Sequence, residues 1–220
     1  MKKMFVLIVG MMFLASCATT APPKTGFLGE YYKNLTPTPE GALAKLRWLK
    51  PGVDFAKYKK VMVDYVVFAL AEDSEYKAIS GEEMKELGDA ASLALVNAIK
   101  KKDSIVAEPG PDVWRLRMAI VGLKQSNPAI SAVTTVIPIG IGISVIKKGA
   151  AGAWSGSGAT QAEAMILDSL TNEVLAVGYL EYTAGFTERF SKWGSVEDAF
   201  KYWGEKGAEV VEALRAGRVK

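Results

Sequence analysis

Two stretches of the chain repeat apolar residues at the spacing of an amphipathic α-helix. The first starts at Ser80, which stands before Glu83 at capping-box spacing, and ends at the basic run 100–102. Its apolar positions are Met84, Leu87, Ala91, Leu95, Ala98 and Ile99. The second starts at Ser195 and carries on one stripe Val196, Phe200, Trp203, Gly207, Val211 and Leu214. Because each helix has one stripe to bury, both are predicted to pack on a sheet.

Three earlier stretches have the composition or alternation of β-strands. The run 61–70 is rich in Val, Tyr and Phe, and Asp64 is its only interior charge, which predicts a central strand. A short strand is predicted at 105–107. Between 113 and 123, large apolar residues alternate with two arginines and an alanine. That pattern predicts a strand with one buried and one cationic face.

Two further extended runs, 159–168 and 174–183, are separated by a short polar stretch that contains Asn172. Asparagine tolerates the left-handed backbone of a tight turn, so the pair predicts a β-hairpin. The order of elements therefore predicts an α+β fold, a mostly antiparallel sheet with two helices packed on one face.

The start of the chain has the pattern of a secretory signal. Two lysines precede the apolar run 4–14, which is too short for a stable membrane-spanning helix. Leu14-Ala15-Ser16-Cys17 follows the run and resembles the lipobox of bacterial lipoproteins. The resemblance implies cleavage after Ser16, loss of residues 1–16, and acyl chains on Cys17 that anchor the protein to a membrane. In a cell with two membranes, Ala18 favours the outer membrane.

The mature chain divides into three predicted parts. Residues 17–26 show no regular spacing of apolar residues and are predicted to be a tether. If extended, the tether would span roughly 25 to 30 Å. Residues 27–52 are predicted to be an arm laid over the domain by aromatic contacts, and Pro51-Gly52 is a turn. Residues 53–220 are the predicted globular domain, with an apolar insert near 129–146.

Composition excludes several classes of function. Removing residues 1–16 takes two of the 27 basic residues and leaves 25 against 24 acidic ones, so no basic surface for nucleic acid is indicated. The single cysteine excludes an intramolecular disulfide. The absence of histidine removes the commonest general base and metal ligand. Gly156-Ser157-Gly158 does not continue as a dinucleotide loop, so no cofactor is predicted.

Three carboxylates on the predicted hairpin are the candidates for chemistry. Glu163, Asp168 and Glu181 lie on or beside paired strands, where two of them together could act as acid and base or bind a hard cation. The alternative interpretation is that they are solvated strand charges, paired with Arg115 and Arg117. No metal site is predicted.

The segment 129–146 contains no charged residue. Pro138 and two glycines disfavour a spanning helix. Large apolar residues stand at every second position, as on one face of a β-strand: Ile137, Ile139, Ile141, Ile143 and Val145. Three interpretations stay open: a buried strand or hairpin, an exposed apolar surface that contacts lipid or protein, or a membrane-inserted hairpin in an oligomer.

Several motifs together resemble a family of bacterial lipoproteins catalogued as domain of unknown function 3313. The matching pieces are Gly26-Phe27-Leu28 with Tyr31 and Leu35, Pro51 to Phe55 with Tyr58 to Val61, Pro109-Gly110-Pro111 with Leu116 to Ile120, Ala162-Glu163 with Asp168-Ser169 and Thr171 to Glu173, and Trp193-Gly194 with Phe200 and Trp203. Asn172 departs from the glycine expected in the turn. The family supplies no established activity, so the resemblance implies location and fold.

These patterns predict a non-catalytic lipoprotein with a binding or structural role at the periplasmic face of the outer membrane. Its predicted partners are the membrane, through the lipid on Cys17, and an envelope protein or a second copy of the chain. Two other functions are open: a carboxylate hydrolase that acts on the cell wall, and a subunit of an envelope export or pore assembly.

Overall fold

The computed structural model describes residues 25–70, 79–124, 159–183 and 194–218. Within these ranges the chain forms one eight-stranded sheet, two long helices and two short 3₁₀ helices. The strands are β1 (Thr36–Pro37), β2 (Leu46–Leu49), β3 (Lys60–Val63), β4 (Val67–Phe68), β5 (Ser104–Ile105), β6 (Val113–Lys124), β7 (Ala159–Asp168) and β8 (Val174–Thr183). The long helices are α1 (Gly81–Ile99) and α2 (Gly194–Arg215), and the 3₁₀ helices are Gly29–Asn34 and Phe55–Lys57.

The sheet is built around the three long strands β6, β7 and β8. Its order is β1-β2-β8-β7-β6-β3-β5, and β4 also pairs with β6. Along this order, the neighbouring strands β1, β2, β8, β7 and β6 pair antiparallel. In contrast, β3 is parallel to both of its neighbours, β6 and β5, and β4 is parallel to β6. The predicted α+β fold with a mostly antiparallel sheet is therefore confirmed.

Both predicted helices are present, and the first begins where its capping signal predicts. The backbone N–H of Glu83 donates to Ser80 Oγ at 3.1 Å, and the Glu83 carboxylate accepts from the Ser80 backbone N–H at 3.1 Å. These two bonds satisfy donors that a helix start leaves unpaired. The second helix, predicted from Ser195, begins at Gly194.

The predicted hairpin has the predicted bounds, with β7 and β8 joined by a short turn. Asn172 has a φ of 57° and is the one non-glycine residue with positive φ in the described ranges. Its backbone N–H donates to the carbonyl of Asp168 at 2.9 Å. Asparagine therefore supplies the left-handed backbone that the turn requires.

The prediction of one central strand at 61–70 is wrong. The run forms two short strands, β3 and β4, interrupted after Val63, and β3 lies between β6 and β5 near one end of the sheet. At the interruption the Asp64 carboxylate accepts a hydrogen bond from Arg115 Nε at 2.8 Å. The backbone N–H of Val66 donates to Ser92 Oγ on α1 instead of to a strand. Tertiary partners thus divide a run that is continuous in propensity.

One face of the sheet packs against α1 and α2. Its alternate residues on β6, namely Trp114, Leu116, Met118 and Ile120, are buried against both helices. The helices themselves approach closely at Gly204 of α2, where an added Cβ would lie 2.6 Å from the Cβ of Ala98 and 3.2 Å from the carbonyl oxygen of Leu95. A side chain at that position would force the two helices apart.

The other face of the sheet is covered by the N-terminal part of the chain. Leu28 is fully buried there against residues on the opposite pleat of β7 and β8. Those residues are Met165, Leu167, Val174 and Val177, and the aromatic side chains around them are Phe27, Tyr31, Tyr32 and Trp48. Since both faces are covered, β8 is buried at seven successive positions instead of alternating.

We predict that Gly204→Ala destabilises the protein by about 1 to 3 kcal/mol, because the new Cβ overlaps Ala98 at the helix crossing. Gly207→Ala on the same helix is the matched control, since its Cβ would meet only Leu43 at 4.0 Å. The control should gain about 0.5 to 1 kcal/mol from helix propensity. Urea unfolding checks both variants, and equal stability of the two would contradict the close crossing.

Candidate functional site

Several predicted site residues lie outside the described ranges. They are Cys17, Ser16, Ile137, Ile139, Ile141, Ile143 and Val145. Lipidation, cleavage and the apolar interaction surface therefore stay predictions. The hairpin carboxylates, in contrast, all lie within the described part of the chain.

Glu163 is a fully buried carboxylate on β7, covered by the N-terminal residues. The Tyr32 hydroxyl donates to its two carboxylate oxygens at 2.8 Å, and Thr25 Oγ1 donates to Oε2 at 2.9 Å. Burial raises the pKa of Glu163, and the two hydroxyl donors partly oppose that rise. The interpretation of Glu163 as a solvated strand charge is therefore wrong.

Glu181 lies diagonally from Glu163 on the neighbouring strand. The register places Glu163 opposite Tyr179 and Gln161 opposite Glu181. The buried Tyr179 hydroxyl donates to Glu181 Oε1 at 3.0 Å. Burial and the two nearby carboxylates raise the pKa of Tyr179, with burial the larger cause. Glu163 and Glu181 are therefore near each other, but Glu181 is exposed and Glu163 is covered.

Asp168 belongs to a separate network at the end of β7. Its Oδ1 accepts from the backbone N–H groups of Leu170 and Thr171 at 3.0 and 3.1 Å. Its Oδ2 accepts from the Tyr58 hydroxyl at 2.8 Å and from Lys57 Nζ at 3.2 Å. Burial raises the pKa of Asp168, but these four donors outweigh it and the net pKa is well below the usual range. This carboxylate holds the hairpin turn in place.

A pairing of Asp168 with another of these carboxylates, which the sequence left open, is not observed, because Asp168 stands about 16 Å along the strand from Glu163. The suggested pairing with the β6 arginines is also wrong. Arg115 Nε and Arg117 Nε lie 2.8 and 3.5 Å from the carboxylate of Asp64. Within the described ranges, acidic residues and cysteine form no group of three that could hold a metal ion.

A cavity of about 390 Å³ lies between α2 and the β2–β8–β7 part of the sheet, and we call it the main cavity. Its floor consists of two cross-strand rows that face α2. One row is Arg47, Gly178 and Ala164, and the other is Leu49, Ala176 and Ile166. Three of these six residues are alanine or glycine, so the sheet leaves unfilled space beneath the helix.

The main cavity is closed by the loop 38–44 and by the C-terminal half of α2, including Val210 and Ala213. At its mouth stand the ion pair of Lys206 Nζ with Glu209 Oε2, at 2.9 Å, and the side chain of Tyr202. The cavity therefore combines a floor that is apolar except for Arg47 with charged groups at its rim, which is the usual character of a small-molecule site.

A second cavity of about 100 Å³, the inner cavity, continues the first toward the core. The residues common to both cavities are Leu43, Ala164, Ile166, Leu180 and Val210. Deeper walls of the inner cavity are formed by Trp114 of β6 and Trp203 of α2. The inner cavity is thus next to the main cavity and is lined by the two buried indoles and by Asp103.

The sequence analysis missed both cavities. A signal was available in the small residues at the helix-facing positions Ala164, Ala176 and Gly178. Ala164 lies on β7, whereas Ala176 and Gly178 lie on β8. Only the register of β7 with β8 places Ala164 opposite Gly178.

A family model described as "Protein of unknown function (DUF3313)" matches residues 23–206. The chain belongs to this family. The match confirms the resemblance drawn from the sequence motifs. A search of curated proteins finds no match.

The chain also has distant likenesses to solved structures. A PelC dodecamer from Paraburkholderia phytofirmans is 11% identical, with a TM-score of 0.37 over 70% of this chain and 94% of that chain. A DUF330 protein from Xanthomonas campestris is 13% identical, with a TM-score of 0.37 over 84% and 92%. A DUF4136 protein from Bacteroides thetaiotaomicron is 12% identical, with a TM-score of 0.33 over 71% and 92%. At these values the likeness carries no information on function.

We predict that Glu163 makes stability depend on pH above the ordinary glutamate pKa of 4.5. Its pKa is raised on folding, so the native state binds more protons than the unfolded state in this window. The free energy of unfolding of the wild type should therefore rise as the pH is lowered from 7 toward 4.5. Urea unfolding across the window should show a smaller rise for Glu163→Gln.

Tyr32→Phe is the companion variant, because it removes the hydroxyl that donates to both carboxylate oxygens. It should cost about 1 to 3 kcal/mol at pH 7, where the buried carboxylate loses a donor. Tyr31→Phe, whose ring packs on Trp48 at 5.2 Å, is the control and should change stability little. An unaltered pH profile in Glu163→Gln would exclude Glu163 as the titrating group.

Proposed function

We propose that the chain is a lipid-anchored, non-catalytic protein of the bacterial envelope whose domain binds an apolar ligand in the main cavity. The observation that carries this proposal is the cavity itself. Its volume of about 390 Å³ lies in the range of ligand pockets, and its floor is apolar except for Arg47, with charged groups at the rim. The proposed location is the periplasmic face of the outer membrane.

The partners of the hairpin carboxylates support a non-catalytic role. Glu163 is covered by the N-terminal residues, and Asp168 is engaged by four donors that hold the turn. A general acid or base must reach the proton it transfers. The chain contains no histidine that could substitute for these carboxylates.

The position of Thr25 supports a domain that stands close to its membrane. Thr25, eight residues after Cys17, bonds to Glu163 on the sheet. A fully extended segment from Cys17 to Thr25 would span about 25 Å. In the described part of the chain, no helix has the length and apolar character needed to cross a bilayer.

Cys17→Ser should release the protein from the membrane fraction or leave it unprocessed, because the proposed lipid attaches to the sulfur. Fractionation of cells that express either form, followed by mass spectrometry of the N-terminus, measures anchoring and cleavage. A variant recovered in the membrane and cleaved after Ser16 would contradict the anchor.

Ala213→Leu should weaken binding of a neutral apolar dye such as Nile red by about tenfold, because the added carbons occupy the main cavity. Ala90→Leu is the matched control, since Ala90 is a half-buried helical alanine that lines neither the main nor the inner cavity. Fluorescence titration measures both dissociation constants. Equal binding by the two variants, or none by the wild type, would contradict a ligand role for the cavity.

A further inference from the structure

Three buried side-chain nitrogens in the described part of the chain have no hydrogen-bond partner. They are Trp114 Nε1 on β6, and Trp203 Nε1 and Arg215 Nη2 on α2. The two indole side chains belong to residues that are only 6% and 2% exposed, so both are shielded from bulk water. A buried indole N–H usually has a partner, because an unpaired donor in the core costs free energy. The three nitrogens share one requirement, which is an atom that accepts hydrogen bonds.

The space that can hold such an acceptor is the inner cavity. Trp114 and Trp203 both line it, and its volume is about 100 Å³. Trp114 also lines a smaller space of about 10 Å³ together with Arg215. About 10 to 15 Å³ of space admits one water molecule, so the smaller space holds one water at most, whereas the inner cavity has room for a group of several heavy atoms.

The charges beside the inner cavity favour a neutral group. Asp103 lines the cavity, and its Oδ1 accepts a hydrogen bond from Arg215 Nη1 at 2.8 Å. The carboxylate would repel an anion, while the positive ends of the indole N–H bonds and the guanidinium would repel a cation. Because the two charges of the ion pair offset each other, neither sign of charge on a ligand is favoured there.

The unpaired groups also distinguish between neutral ligands. All three are donors, and in the described ranges no buried side-chain oxygen lacks a partner. A carbonyl oxygen brings two lone pairs and no hydrogen, so it supplies only what the site requires. A hydroxyl group would add a donor for which no unpaired acceptor is present. A carbonyl group without an N–H is therefore the best match.

We propose that the ligand is a neutral ketone or ester whose carbonyl oxygen lies in the inner cavity and accepts from the indole N–H groups of Trp114 and Trp203. This inference rests on the proposed function of the main cavity and specifies the chemical class of its ligand. Ala164, Ile166 and Val210 line both cavities, so the apolar remainder of the ligand lies beside them in the main cavity. Burial of that remainder supplies the larger part of the affinity.

The test uses the mature chain, residues 17–220, with Cys17→Ser and after delipidation, so that no lipid competes for the cavities. Acetophenone and α-methylstyrene have the same shape, but the hydrocarbon has a methylene group in place of the carbonyl oxygen. In a purely apolar cavity the hydrocarbon would bind more tightly, because burial of an unpaired carbonyl costs free energy. Calorimetry should instead show one acetophenone per chain, bound at least as tightly as the hydrocarbon.

Two further probes test the choice of a carbonyl group. The α-methylbenzyl alcohol molecule has a hydroxyl group in place of the carbonyl of acetophenone, and benzoate has a carboxylate. Both should bind at least about tenfold more weakly than acetophenone.

The indole N–H groups report the contact directly in the chain without any cavity substitution. In proton–nitrogen correlation NMR spectra, acetophenone should move the indole signals of Trp114 and Trp203 downfield, because a hydrogen bond deshields the donated proton. The hydrocarbon should not produce this shift. Trp48 is the internal control, since it packs on Tyr31 at the other face of the sheet.

Trp203→Phe removes one donor and keeps an aromatic ring. It should raise the dissociation constant of acetophenone about tenfold and change that of α-methylstyrene by no more than about threefold. Trp48→Phe is the matched control and should leave both constants unchanged. If Trp203→Phe does not fold, the NMR comparison in the unsubstituted cavity still decides.

The contrary results separate this assignment from the proposed function. Tighter binding of the alcohol or of benzoate than of acetophenone would overturn the carbonyl class. Indole signals that no bound probe shifts would also overturn it, because water would then be the partner of the two N–H groups. In both cases Nile red binding that Ala213→Leu weakens would still support the proposed function. If neither Nile red nor any of these probes binds, the assignment and the ligand-binding function are both wrong.

Discussion

The buried carboxylate of Glu163 couples the N-terminal residues to the sheet. Burying a charge in an apolar face costs free energy unless hydrogen bonds compensate for lost water. The hydroxyl groups of Tyr32 and Thr25 provide that compensation, and both belong to the segment that covers the face. The apolar contacts of Leu28 depend on the same placement. The same placement of the N-terminal residues therefore covers the second face of the sheet and supplies the hydrogen bonds of Glu163.

The face of the same strands that is turned toward α2 is packed differently. There β7 and β8 present small residues toward α2, which still contacts both strands. The main cavity is the space that remains. Because the strands are held from behind by the N-terminal residues, the cavity floor has a fixed backbone that does not rely on α2.

The fold was predictable wherever a signal was local in sequence. The capping box at Ser80, the alternation in β6 and the turn at Asn172 each act over a few residues. The cap and the turn are found as predicted, whereas β6 alternates only in its first half and is buried at every position from 118 to 123. The strand at 61–70 was not predictable in detail, because its interruption depends on Arg115, which lies 51 residues away. Local propensity carries no information about such a partner.

The site was less accessible from sequence for the same reason. The environment of Glu163 is set by Tyr32, which lies 131 residues earlier, so a strand carboxylate that looked solvated is buried. The cavity depends on which small residues become neighbours, and that is fixed by strand register and by the position of α2. The predicted lipobox could be recognised because it is a contiguous motif, but it carries no information about the domain that follows.

The bond between Thr25 and Glu163 also determines how mechanical load would enter the domain. If Cys17 is fixed in a membrane, tension on the tether reaches the domain at the middle of β7, a strand bonded to β6 and β8 on both sides. A pull there acts on the best-connected strand of the sheet and not on a frayed end. The single hydrogen bond between Thr25 and Glu163 would break before β7 was pulled out of the sheet, so the N-terminal residues would detach first and the sheet would stay intact.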